Sequence, residues 1–237
     1  MTTLVLLSGW GCDTRLWQPL ARHWPEGLAV NASDWPGYGV RPPLEDPCSL
    51  AQLASAMGDD LTPGTVWVGW SLGGLLAAAL LDHLPAPRAL VLLGMGESFC
   101  HEEGISTAEL AAFRQAFARA PDMTHRHFLR WQLRGEPDPR AAHRQLRELL
   151  VDNGGADRNT LAAGLAQLAD LDNADRLSRS PCQVCRVAGK QDPLLSPSLR
   201  ESADYRLNEA GHCPMLSQPA RLAACLAGIA SAVEPAP

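Results

Sequence analysis

Short apolar runs alternate with segments of helical period along both ends of the chain. Leu4–Leu7 and Ala89–Leu93 are apolar at every position, and Leu28–Ala32, Val66–Trp70, Cys182–Ala188 and Tyr205–Leu207 are similarly short and apolar-rich. Unbroken runs of this length suit strands covered on both faces, as in a parallel sheet. Between them the spacing predicts a helix over Thr14–His23, capped by Asp13 or Thr14, and a second over Ser49–Asp60. The second carries Leu50, Leu53, Ala54 and Met57 on one face and starts at Ser49. An Ala/Leu-rich helix is expected from Ser71 to about Leu84, and a final helix from about Gln218 to Val233. This order predicts an α/β fold: a mostly parallel central sheet with helices on both faces.

From Glu97 to about Arg179 the alternation stops. Four helices are expected there, over Thr107–Ala120, Met123–Arg134, Pro139–Val151 and Arg158–Ala169. Asp122, Asp138 and Asp157 stand where caps are needed, Pro139 suits a first helical turn, and Gly135 and Gly154 suit stops. A four-helix cap inserted at the C-terminal edge of the sheet accounts for them, with a core of residues 1–96 and 180–237 and a cap of residues 97–179. The tail, residues 234–237, is expected to fray.

Composition narrows the class. The 237 residues suit one α/β domain with an insertion, and 46% hydrophobic with 19% charged residues is ordinary for a globular enzyme. A net charge of −6 disfavours a nucleic-acid partner. No apolar stretch is long enough for a membrane span, and Met1–Leu7 lacks the features of a signal peptide, so a cytoplasmic monomer is expected. Seven scattered cysteines read as free thiols. Cys182-Gln-Val-Cys185 lies in a strand with no partner pair for a metal.

The candidate chemistry starts at Gly69-Trp70-Ser71-Leu72-Gly73, a G-x-S-x-G between a strand and a helix. That context is a nucleophile elbow, with the serine exposed at a sharp turn. Alternatively, Ser71 only caps the helix. The other triad members follow the serine as acid and then histidine. His83 sits about 18 Å along the same helix and cannot reach. His212, in the loop after the last short strand, can serve as general base, and Asp192, just past the Cys182–Ala188 strand, as its partner. An oxyanion would need two N–H donors, Leu72 and one from the loop after the first strand, assigned to Trp10. This chemistry calls for no cofactor and no metal.

Leu6-Leu7-Ser8-Gly9-Trp10-Gly11, Asp34-x-Pro36-Gly37-x-Gly39, Gly69-Trp70-Ser71-Leu72-Gly73-Gly74, Gly189-x-x-Asp192 and Ala210-Gly211-His212-x-Pro214 occur in this order over nearly the whole chain. In this the chain resembles the α/β-hydrolases, and among them the pimeloyl-[acyl-carrier protein] methyl ester carboxylesterases of biotin synthesis. The resemblance implies the α/β-hydrolase fold, an ester substrate on an acyl carrier protein, and substrate contacts from Phe128, Leu129, Arg130, Trp131 and Gln132 besides Trp10, Ser71, Leu72 and His212. It also implies carrier docking at Arg140 and Arg144. Two departures stand out: Ser8 replaces the family's usual histidine, and the shorter N-terminal segment leads to an expected loss of one or two edge strands.

Charge extends the docking expectation to Arg126 and Arg130. Residues 114–147 hold eight arginines against three acids, and Arg126, Arg130 and Arg134 recur at i, i+4, i+8, as Arg140, Arg144 and Arg147 do at i, i+4, i+7. Other functions remain open on the same residues: a carboxylesterase or thioesterase of broader acyl specificity, a carbon–carbon lyase, or a non-catalytic ligand receptor.

Overall fold

The computed structural model describes residues 2–150 and 156–233. Six strands, β1 (Thr3–Leu7), β2 (Ala29–Ser33), β3 (Thr65–Trp70), β4 (Ala89–Leu93), β5 (Gln183–Gly189) and β6 (Tyr205–Leu207), form one sheet in the order β2-β1-β3-β4-β5-β6. Every pairing is parallel.

The unbroken apolar runs have a direct physical use. Leu4, Leu6, Val66, Val68, Trp70, Val91 and Leu93 point to one layer, which contains Leu16, Trp17 and Leu20 and, from the C-terminal helix, Leu222, Leu226 and Ile229. Val5, Leu7, Trp67, Leu90 and Leu92 point to the opposite layer, with Leu53, Met57, Leu75 and Leu76. Each fully buried Leu or Val contributes roughly 1.5–3 kcal/mol, so a sheet covered on both faces needs apolar residues at every position. At the edge, β2 is largely exposed and carries Asn31.

Two helices pack beside the elbow: α1 (Leu50–Met57), capped by the Ser49 side chain, and α2 (Leu72–Ala79). The expected long helix after Ser71 stops at Ala79 and tightens into a 3-10 turn over Leu80–Asp82. Thr14–His23 is likewise a 3-10 helix, begun by Asp13. Pro19 lies inside it and cannot donate an α-type hydrogen bond.

Between β4 and β5 lie α3 (Thr107–Arg119), α4 (Pro121–Trp131), α5 (Pro139–Leu150), α6 (Arg158–Asp170) and α7 (Ala174–Ser178). Among the described residues this is five helices rather than four. The five-residue α7 is too short to show a period, and it is anchored by buried Asn173, whose amide donates to Leu75 O at 3.1 Å. Asp157 caps α6 through Thr160 N, and Asp138 accepts from Arg140 N and Ala141 N at the start of α5. Asp122 is not a cap: Ala120 holds that place before Pro121, and Asp122 pairs with Arg158 at 3.0 Å. Because α4 ends at Trp131, Arg134 leaves the helical series of Arg126 and Arg130. Gly154 and the tail lie outside the described residues.

After β5 come two short helices the pattern did not predict, α8 (Pro197–Ser202) and α9 (Pro214–Ser217), and then α10 (Pro219–Ala232). Among the described residues no helix is long and apolar enough to cross a membrane.

The crossing of β3 and α2 is the tightest constraint near the elbow. A Cβ on Gly69 would lie 2.5 Å from Gly74 N. Gly69→Ala should therefore destabilise the fold by about 1–3 kcal/mol, measured as a lowered urea midpoint. An unchanged midpoint would mean that the strand and helix can part freely there.

Candidate active site

Ser71 occupies the turn from β3 into α2 with φ 54° and ψ −128°. Among the described residues only Ser71 and Glu209 combine a side chain with positive φ. Holding such a conformation costs about 1–3 kcal/mol and persists only where the surroundings over-determine it. Here Ser71 N donates to Leu93 O at 2.9 Å and Ser71 O accepts from Gly74 N at 2.9 Å. Gly73 lets the new helix lie against the loop after β1, since a Cβ there would come within 2.5 Å of Ser8 O. The Ser71 hydroxyl makes no capping hydrogen bond, so the plain capping role is not what the residue does.

The loops after β5 and β6 bring Asp192 and His212 together. His212 Nδ1 lies 2.8 Å from Asp192 Oδ2, with both side chains fully buried. A carboxylate can only accept, so Nδ1 carries a proton, and in the neutral ring Nε2 then presents its lone pair. That Nε2 has no hydrogen-bond partner among the described residues. Asp192 is held in turn: Oδ1 accepts from Leu194 N at 2.8 Å, and its carbonyl from Arg200 Nη1 at 2.7 Å. Trp70, next to the serine, donates from Nε1 to His212 O at 2.7 Å and stacks obliquely on the imidazole. His83 is exposed after the 3-10 turn and takes no part.

The loop after β1 runs against the serine, where a Cβ on Gly9 would lie 2.8 Å from Ser71 Cβ. Ser8, which replaces the resembled family's histidine, is absorbed in bracing that loop. Its hydroxyl donates to Asp13 O and accepts from Trp17 Nε1, each at 3.0 Å. The helical insertion holds the same loop from above. Trp10 Nε1 donates to Leu161 O at 2.8 Å, and His125 Nε2 lies 3.1 Å from Gly11 O. Burial pushes the His125 pKa below its ordinary value, so the ring is neutral near pH 7 and Nε2–H donates to that carbonyl. Gly164 of α6 lies against both Trp10 and Leu72, and a Cβ there would come within 2.9 Å of each side chain. None of His125, Gly164 and Leu161 was visible as a site residue in the sequence, because each acts through a contact made only in three dimensions.

A cavity of about 180 Å³ opens beside Trp10, lined by apolar groups that include Ile105, Leu110, Phe113, Phe128 and Trp131. Of the segment expected to touch substrate, only Phe128 and Trp131 line it. Leu129 and Arg130 face an outer groove of about 450 Å³, beside Met123, Arg126, His143 and Arg147. Gln132 is fully buried next to the Cys12 thiol. Arg140 and Arg144 are exposed on α5, and neither they nor Arg126 and Arg130 form an ion pair among the described residues.

All seven cysteines are free thiols. Burial pushes Cys12 up to about 12 and Cys182 and Cys185 above their ordinary value, which leaves them poor nucleophiles. Among the described residues no group of three or more His, Cys, Asp or Glu side chains is placed to hold a metal ion.

Comparison with known proteins agrees with this architecture. A pimeloyl-[acyl-carrier protein] methyl ester esterase of Aeromonas hydrophila is 32% identical over 229 residues, covering 91% of this chain and 90% of the relative. One of Vibrio vulnificus is 28% identical over 228 residues, covering 91% and 89%. An esterase structure from Exiguobacterium antarcticum superposes with a TM-score of 0.80 at 19% identity, over 98% of this chain and 92% of that one. The model of the alpha/beta hydrolase family matches residues 4–225, and the chain belongs to that family.

Proposed function

We propose that this chain is a serine carboxylesterase in which Ser71, His212 and Asp192 form the catalytic triad. The observation that carries the reading is the strained, uncapped Ser71 at the elbow, combined with a buried imidazole whose Nδ1 is fixed by Asp192 and whose Nε2 has no partner among the described residues. Ser71 Oγ attacks the ester carbonyl while His212 Nε2 takes its proton, and the Asp192 carboxylate stabilises the imidazolium. The N–H groups of Trp10 and Leu72 receive the oxyanion. His212 then hands the proton to the departing alkoxide, which leaves as an alcohol while the acyl group stays on Ser71 Oγ as an ester. Water, deprotonated by His212, attacks that ester. The carboxylic acid departs and Ser71 regains its proton.

The favoured substrate is the methyl ester of pimeloyl-[acyl-carrier protein], as in the relatives' names. Two features support it. The cavity beside Trp10 has room for about six groups of water or methylene size, which suits a medium acyl chain. The insertion, residues 97–179 acting as a cap, presents Arg126, Arg130, Arg140 and Arg144 outward with no ion pair among the described residues, and an acidic carrier protein is their complement. His143 is shifted below its ordinary value by partial burial and by Arg130 and Arg147 beside it, which marks the positive field of that face.

Ser71→Ala and His212→Ala should each lower kcat for a p-nitrophenyl ester by about 10⁴-fold or more, and the double variant should lose hardly more than either single one. Additive losses in steady-state assays would show that one of the two is misassigned. Phe128→Ala, which opens the cavity, should raise KM or shift the preferred chain length across a series of p-nitrophenyl esters, with the fold intact. Uniform loss across the series, tracking a lower melting temperature, would make Phe128 a packing residue only. Arg140→Glu with Arg144→Glu should lower kcat/KM for a carrier-linked methyl ester at least about tenfold and leave a small ester nearly unaffected. The carrier-linked rate should also fall with added salt. Equal loss on both substrates, or a rate indifferent to salt, would leave an esterase that does not recognise a carrier protein.

A further inference from the structure

Glu136 is a buried carboxylate for which the chemistry above has no use. It belongs to the link between α4 and α5, is only 4% exposed, and forms no ion pair among the described residues. Burying a carboxylate is costly unless its oxygens are fully hydrogen-bonded. Its partners lie on one stretch of chain, the loop that carries His212 and the short helix α9 that follows it. Oε1 accepts from Cys213 N at 2.7 Å, and Oε2 from Gly211 N at 3.2 Å and from Ser217 Oγ at 2.5 Å. The two backbone donors are the residues on either side of His212.

The surrounding backbone is packed to allow this. A Cβ on Gly211 would lie 2.7 Å from Glu136 Oε1, and one on Gly135 would fall on the Gln191 carbonyl, beside Asp192. The link therefore sits against the histidine-bearing and the acid-bearing loops at once. Those loops are joined to each other by Gln191 N donating to Ala210 O at 2.9 Å. On its other side the link continues α4, which ends at Trp131, and Phe128 and Trp131 line the apolar cavity.

We propose that Glu136 is a positioning residue for His212: by gripping the N–H groups of residues 211 and 213, it holds the imidazole in register with Ser71 and makes the seating of the helical insertion a condition of turnover. The inference rests on the triad reading. A carboxylate suits the task because both of its oxygens can only accept, so each flanking N–H keeps its partner. An amide of the same shape must turn its NH₂ toward one of them. A displaced imidazole would still allow substrate to bind but would slow proton transfer from Ser71, so the effect belongs in kcat rather than KM.

The test compares Glu136→Gln with Ser217→Ala, which removes only the hydroxyl donor. Each is assayed on p-nitrophenyl butyrate per active site titrated with a phosphonate, with melting temperature and the proton resonance of His212 Nδ1–H recorded alongside. Folded Glu136→Gln should lose on the order of 10²-fold in kcat, the scale of a misplacement of about 1 Å, with KM within about twofold and the Nδ1–H resonance shifted or broadened. Ser217→Ala should keep kcat within about twofold. If Glu136→Gln does not fold, Glu136→Asp, which keeps the charge but shortens its reach, carries the same expectation. Unchanged kcat in the folded variant, a loss confined to KM, or an equal loss in Ser217→Ala would overturn the inference. Ser71→Ala separates the two claims: if it remains active the triad reading fails, whereas an inactive Ser71→Ala beside a fully active Glu136→Gln removes only the positioning role.

Discussion

The backbone at Ser71 is the constraint on which the rest of the site depends. A side-chain-bearing residue held at φ 54° survives only because β3 and α2 are anchored on both sides of it, in a sheet buried on both faces. The flanking glycines follow from the same turn: the strand, the helix and the loop after β1 approach so closely that a Cβ at Gly69 or Gly73 has nowhere to go. A strain of about 1–3 kcal/mol is small against the burial of this sheet's apolar residues. The hydroxyl held there makes no hydrogen bond to the helix it would otherwise cap.

The other groups are delivered by loops at the same end of the parallel sheet, and the helical insertion braces each of them. His125 donates to the Gly11 carbonyl, Leu161 accepts from Trp10, and Glu136 holds the turn around His212. Buried hydrogen bonds of this kind contribute about 0.5–1.5 kcal/mol each to stability, and their loss leaves groups unsatisfied at greater cost. The insertion is thus tied to the parts of the molecule that must hold their geometry, and the apolar cavity lies between these ties.

The features readable in the sequence are those written in neighbouring residues. Gly69-Trp70-Ser71-Leu72-Gly73 encodes its own turn, the apolar runs encode burial on both faces, and Ser49, Asp138 and Asp157 sit where helices begin. Asp192 and His212 could be named because their loops follow strands in a known order, and the structure brings the two within hydrogen-bond distance. What was not readable depends on length or on distant contacts. The helix at Ala174–Ser178 is too short to show a period, and the apolar spacing over Thr14–His23 does not distinguish a 3-10 helix from an α-helix. Pro121 moved a helix start ahead of Asp122. Glu136 stands in an arginine-rich stretch, where it reads as one more surface charge until the fold sets it beside residues 211–217.

If Ser71 is the nucleophile of an ester hydrolase, a fluorophosphonate should modify it, and peptide mass mapping of the treated protein locates the adduct. One adduct is expected, on the peptide that carries Ser71. It should form in step with the loss of p-nitrophenyl ester hydrolysis, slow in the presence of ester substrate, and be nearly absent in folded His212→Ala. An adduct on another residue, or hydrolysis that persists in fully labelled protein, would contradict it.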